Sequence, residues 1–228
     1  MSERPVPRLT AVEARVLAVL VEKARTVPDI YPLTLNALVA GCNQKTSREP
    51  VMSLGDADVL TAIDRLKALT LVIETSGGRT MRYAENARRV LEVPSESVAL
   101  LATLMLRGPQ TAAELRANCE RLHRFSDLSA IEAYLDQLAE RAAGAYVVRL
   151  ARQPGSRESR WAHLLSGPPQ DVEASSASDA RAARDPETHL PAADVSQELG
   201  ELRERVQRLE SDVADLRRAL AANPPGLR

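Results

Sequence analysis

A short motif occurs twice in this chain and constrains its fold more than any other feature. Thr34, Leu38 and Cys42 have the spacing T-x3-L-x3-C, and Thr111, Leu115 and Cys119 repeat it 77 residues later. A second match, Leu60-Thr61-Ala62-Ile63-Asp64 with Leu128-Ser129-Ala130-Ile131-Glu132, has an offset of 68, which places nine extra residues in the first copy. A unit of this length that occurs only twice predicts two similar small domains, because a solenoid needs three or more repeats.

Each copy reads as three helices and a hairpin. In the first, Thr10 with Glu13 forms a capping box, and Val12, Val16, Val19 and Leu20 line one face of the helix that follows. The second helix presents Leu35, Leu38, Val39 and Cys42. The third is expected to open at Ser53 with Asp56 and to bury Val59, Ile63 and Leu66. Leu71–Thr75, a Ser76-Gly77-Gly78 turn and Arg79–Tyr83 then make a hairpin, with glycine supplying the positive φ of a tight turn. In the second copy a helix runs from about Ser95 to Arg107 and stops at Gly108-Pro109. Thr111 with Glu114 caps the next helix, and Leu128, Ile131, Leu135 and Leu138 line the third. Tyr146–Leu150 and Arg160–Leu164 are the hairpin strands. Three helices followed by a two-stranded wing is the winged-helix plan. The expected fold is mainly α with small β-hairpin wings (α+β), as two winged-helix domains at 9–90 and 91–165.

Past that point the composition changes. The 228 residues carry a net charge of −1, but residues 166–228 hold eight Lys and Arg against twelve Asp and Glu, a net of −4, leaving +3 on residues 1–165. The stretch 166–194 is rich in Pro, Ser, Ala and acid, too poor in apolar surface to offset its ordering entropy, and reads as a flexible linker. Over 195–222 a heptad follows: Leu199, Val206, Val213 and Leu220 at a, with Val195, Leu202, Leu209 and Leu216 at d. Valine at the central a positions with leucine at d favours a parallel two-stranded coiled coil. The flanking pairs Glu198 with Arg203, Arg205 with Glu210, and Asp212 with Arg217 are all of opposite sign. These features predict a homodimer. With two cysteines, no apolar signal core and no membrane-length apolar run, the expected location is the cytoplasm.

Several blocks in the first 165 residues carry a family resemblance. They are Glu22-Lys23, Tyr31-Pro32, Leu33-Thr34-Leu35-Asn36-Ala37-Leu38, and Cys42-Asn43-Gln44-Lys45-Thr46-Ser47-Arg48-Glu49-Pro50-Val51-Met52. Arg107-Gly108-Pro109-Gln110-Thr111, Leu122-His123-Arg124-Phe125 and Arg152-Gln153-Pro154-Gly155 join them. Together they resemble the bacterial YceH family over about Leu9 to Leu165. The resemblance implies tandem winged helices, often with a C-terminal coiled coil, and implies no established activity. At the first wing, Gly77-Gly78-Arg79-Thr80-Met81-Arg82-Tyr83-Ala84 stands in place of a more basic pattern resembling S-R-V-x-K-Y-x-H.

Cations on the connections and wings are the candidate binding residues. The loop from Asn43 to Val51 holds Lys45 and Arg48 among hydroxyls and amides, which suits phosphate, carboxylate or partner recognition. It equally suits a self-bonded loop in which Arg48 pairs locally. Arg79 and Arg82 lie on the first wing; Arg152, Arg157 and Arg160 decorate the second. The third helices are poor DNA readers, since Asp56 to Leu69 carries a net of −1 and Ser126 to Arg141 a net of −3. No nucleophile elbow, Gly-rich cofactor turn or P-loop is present, and Cys119 with His123 lacks the further ligands that a metal needs. The expectation is a non-enzymatic protein with no cofactor and no small-molecule substrate. Its leading function is nucleic-acid-associated regulation, with wing arginines gripping double-stranded DNA. The alternative is a module that docks a protein partner through the 43–51 loop and the acidic third helices.

Overall fold

The computed structural model describes residues 6–76, 80–153, 156 and 158–169, all within one compact unit spanning Met1–Ala180. The architecture is α+β, helices with two small antiparallel sheets, consistent with the winged-helix plan. The expected linker beyond Pro169 and the heptad at 195–222 lie outside the described residues.

Helix α1 (Ala11–Thr26) begins at the capping box expected from the sequence: the Thr10 hydroxyl accepts from the Glu13 amide, and the Glu13 carboxylate accepts from the Thr10 amide. Its surroundings differ from the one-faced amphipathic helix predicted. Every residue from Glu13 to Val21 is buried, because α2 (Leu35–Cys42) and α3 (Asp56–Ala68) cover one side while α5 (Ser95–Arg107) packs on it from the second half. The buried side chains of both halves form one continuous cluster.

The motif that defines the repeat has a plain structural meaning. Thr34 caps α2 and Thr111 caps α6 (Ala112–Cys119), each hydroxyl accepting from the backbone N–H three residues on. Leu38, Leu115, Cys42 and Cys119 are all fully buried. Burial raises both thiol pKa values, that of Cys42 to about 12, so both cysteines act as small apolar side chains.

The second sequence match is out of register by one helical turn. Gly55 is the N-cap of α3 and Asp127 that of α7 (Leu128–Ala139), and the buried sets Val59, Ile63, Leu66 and Ile131, Leu135, Leu138 share the same spacing. The true offset is 72, and the first connection exceeds the second by five residues, not nine: 43–55 against 120–127. Apolar residues at i, i+3 and i+4 match themselves almost as well after a slip of four, which hides the error in the sequence. The helix also starts later than Ser53. The Asn43 side chain accepts from the Leu54 amide and donates to the Leu54 carbonyl, both at 2.8 Å, holding that residue extended, and Asp58 rather than Asp56 accepts from the N-cap amide.

Strands β1 (Leu33–Thr34), β2 (Val72–Ser76) and β3 (Met81–Glu85) form the first sheet in the order β1-β3-β2, with β1 unforeseen in the sequence. The second sheet pairs β4 (Val147–Arg149) with β5 (Trp161–His163), and Gln110 bridges to Trp161 as Leu33 does to Tyr83. The short helix α4 (Ala87–Leu91) leads from the first sheet to α5. No helix among the described residues is long and apolar enough to cross a membrane.

Gly41 marks the closest approach of α2 to α1: a Cβ there would lie 2.7 Å from Val19 Cγ1. Replacing a helical glycine by alanine gains about 1 kcal/mol in propensity, whereas overpacking a tight core costs about 1–3 kcal/mol. Gly41→Ala is therefore expected to destabilise the protein by about 1 kcal/mol in urea unfolding; a stabilised variant would mean that the helices are not in close contact there.

Candidate functional site

The loop that the sequence marks out is built around buried charge. Arg48, a candidate ligand-binding residue, points inward with a side chain that is 0% exposed. Its Nη2 donates to Glu22 Oε2 at 2.6 Å and its Nη1 to Glu22 Oε1 at 3.2 Å, a two-pronged pair across 26 residues of sequence. Nε donates to the Gly41 carbonyl, Nη1 also to the Ser47 carbonyl, and Nη2 also to Gln44 Oε1. The donors of Arg48 are thus used inside the protein, the arrangement of the self-bonded loop rather than of an outward-facing recognition residue. Burial would raise the Glu22 pKa, but the hydrogen bonds and charge of Arg48, helped by Lys23, hold it below the ordinary carboxylate value.

Arg15 is the second buried cation and went unnoticed in the sequence. It donates through Nη1 to the Cys42 carbonyl at 3.1 Å and through Nη2 to the Pro50 carbonyl at 2.6 Å. Burial, then the charge of Arg48, lowers its pKa. The loop also reaches the second half: the Glu49 amide donates to the Leu106 carbonyl at 2.7 Å, and Arg107 Nη2 to Ser47 Oγ at 2.6 Å. Ser47 sits in the left-handed region at φ 61°, a conformation that turns the chain between these anchors. Of the two loop cations, only Lys45 is exposed.

The wing cations are divided. Arg82 is half-buried and donates through Nη1 to the Pro32 carbonyl at 2.7 Å and the Ile30 carbonyl at 3.3 Å. Arg160 stands 3.7 Å from Glu114 Oε2. Arg152 is exposed. Arg79 and Arg157 lie outside the described residues, as do the dimerisation candidates Val195, Leu199, Leu202, Val206, Leu209, Val213, Leu216 and Leu220. Arg82 lies on β3 of the first sheet, and Arg160 immediately precedes β5 of the second.

The third helices present acid. Glu132 and Asp136 on α7 and Glu140 at its C-cap form an exposed stripe with no cation within 4.0 Å among the described residues. On α3, Asp56 and Asp58 are exposed at the N-terminal end, while the two cations pair off, Arg65 with Glu13 at 3.4 Å and Lys67 with Glu74.

The signals that could have found the buried pair are modest but real. Arg15 interrupts an otherwise apolar run, and Glu22 and Arg48 both fall in blocks that resemble the YceH family.

Comparison with known proteins agrees with that resemblance. A family model described as "Protein of unknown function, DUF480" matches residues 9–156. A UPF0502 protein of Dechloromonas aromatica is 54% identical over 214 residues, covering 94% of this chain and 95% of the relative. One from Leptothrix cholodnii is 58% identical over 213 residues, covering 90% and 95%. One from Cupriavidus pinatubonensis is 51% identical over 228 residues, covering 99% and 96%.

Two predictions follow from this geometry. Arg48→Ala leaves Glu22, 14% exposed, with Lys23 at 3.3 Å as its one remaining cation and should cost about 3 kcal/mol in denaturant unfolding, whereas replacing both partners by apolar residues should cost much less; a double-variant loss equal to the sum of the two single losses would show that the pair has no coupling. On β5, burial lowers the His163 pKa to about 4, and its Nδ1 has no hydrogen-bond partner. The unfolded chain then binds a proton that the folded chain refuses, so stability is intact above pH ~6.5 and falls as pH drops toward 4, by ~3 kcal/mol in all. His163→Gln should flatten thermal unfolding across that window.

Proposed function

The chain belongs to the DUF480 family of unknown function, in which the UPF0502 proteins are its close relatives, and we propose that it is a non-enzymatic adaptor that docks a protein partner. In this reading residues 9–90 and 91–165 are tandem winged-helix domains, 166–194 is a linker, and 195–222 joins two chains as a parallel coiled coil in the cytoplasm.

The observation that carries the proposal is the acidic stripe of Glu132 and Asp136 along α7 and Glu140 at its C-cap, on the helix that a DNA-reading winged helix lays in the major groove. A groove lined by phosphates repels that face, whereas a basic protein surface complements it. The loop adds support, because Lys45 and Thr46 are exposed at the tip of a segment whose base is held by Arg15 and Arg48.

A second reading, contact with the backbone of double-stranded DNA, draws on Lys45 and Arg152, which are exposed, and on Arg88 and Arg89 beside the first wing. Arg79, Arg82, Arg157 and Arg160 complete its cation set, with Arg82 and Arg160 first having to leave their present partners.

The two are separable. Pull-down from nuclease-treated lysate should retain a partner that is lost when Glu132, Asp136 and Glu140 are changed to Lys. Titration with duplex DNA should show weak binding with little salt dependence; tight binding that falls steeply with salt, and is blunted by Arg152→Ala, would reverse the order of the two readings.

A further inference from the structure

A cleft of about 290 Å³ opens on the second half, lined by Ala113, Arg116, Ala117, Glu120, Arg124 and Phe125. It lies on the face of α6 that carries residues one turn apart and extends along the connection to α7. Arg124 and Phe125 in the lining belong to the block Leu122-His123-Arg124-Phe125, which neither functional reading uses. The size suits one or two side chains rather than a large cofactor.

The walls are chemically distinct and held in place. Arg116 Nη2 donates to the Ser126 carbonyl at 3.3 Å across the connection, which fixes its direction while leaving the side chain exposed. Arg124 is exposed as well, and no carboxylate stands within 4.0 Å of either guanidinium among the described residues. Phe125 is buried and packs edge-on to His123 at 4.7 Å and to Tyr134 at 5.9 Å, so the apolar end of the cleft is rigid. Ala113 and Ala117 keep the helix side low and apolar.

Within the lining, two arginines against Glu120 leave a net charge of +1, and Asp127, which feels the charge of Arg116, is taken up by Ser129, Ser126 and the Ala130 amide, so the lining suits a monoanion. A carboxylate is planar and receives two parallel N–H groups from a guanidinium, while the alanines and Phe125 accept an aliphatic neighbour. Consecutive phosphates of a nucleic acid would instead meet the Glu120 carboxylate among the lining residues. We propose that this cleft binds a carboxylate set beside an aliphatic side chain, as an acidic segment of a partner protein presents it. The inference rests on the protein-docking reading and gives the partner a second chemistry, basic where it meets α7 and acidic where it enters this cleft.

The test uses the full-length chain and a fluorescein-labelled peptide of alternating leucine and glutamate, with a leucine–glutamine peptide of equal length as control. Fluorescence anisotropy at low salt should show saturable binding of the glutamate peptide alone. R116Q combined with R124Q should weaken it at least tenfold with an unchanged Tm, and E120Q should tighten it several-fold. Equal binding of the glutamine peptide, or no effect of the arginine changes, overturns the proposal. Duplex DNA that binds in place of the peptide and is lost in the same double variant also overturns it. Peptide binding in a protein whose α7 variants lose no partner would sustain the cleft while defeating the adaptor reading, and the converse would remove the cleft alone.

Discussion

Two guanidinium groups inside the first half set the terms for everything around the long connection. A buried cation costs several kcal/mol unless its donors are met, so the chain must bring acceptors to Arg15 and Arg48. The acceptors it brings are mostly carbonyls that have no other use. Gly41 and Cys42 close α2, and the last carbonyls of a helix lack intrahelical partners and carry the negative end of its dipole. The arginines satisfy the end of the helix, and its carbonyls meet Nε of Arg48 and Nη1 of Arg15, while the buried Nε of Arg15 has no partner. Glu22 from α1 then supplies the one carboxylate, and Pro50 the carbonyl that fastens the far end of the loop.

This arrangement explains why an insertion of five residues does not behave as a slack surface loop. Its base is held by buried charge, its exit by Asn43 against Leu54, and its outer side by Glu49 and Ser47 against the end of α5. The same residues that fold the connection therefore also join the first half to the second. Arg25 reinforces that junction from α1, donating to the carbonyls of Leu122 and Ser95.

Much of the fold was legible because local rules wrote it. Thr10 with Glu13 and Thr111 with Glu114 are caps whose partners lie three residues away, and Gly108 stops α5 where the sequence placed its end. The failures share one cause, dependence on distant partners. The start of α3 depends on Asn43, which binds Leu54 eleven residues on, so a capping pattern at Ser53 was only a decoy. The role of Arg48 is decided by Glu22, and nothing in the polar block 43–51 says which of its two cations turns inward. Strand β1 is two residues long and exists because β3 offers it an edge. Arg82 reads as a free wing cation, yet the carbonyls that hold it belong to a turn some fifty residues before it.

The acidic character of the third helices separates into two parts once the elements are in place. Asp56, Asp58 and Asp127 stand at helix N-termini, where negative charge favours the dipole and caps the backbone, so helix stability accounts for them. The stripe on α7 is different. Glu132, Asp136 and Glu140 run at intervals of four toward the C-terminal end, where each like-charge neighbour costs about 0.2–0.5 kcal/mol and the dipole opposes the last of them. Exposed positions place no packing demand on the side chain, and lysine or glutamine would serve the helix better. The stripe is thus a small standing cost to the fold, carried by the helix face that the winged-helix plan turns outward. On the adaptor reading proposed above, a basic partner would recover that cost on contact by supplying the charge that the helix itself lacks.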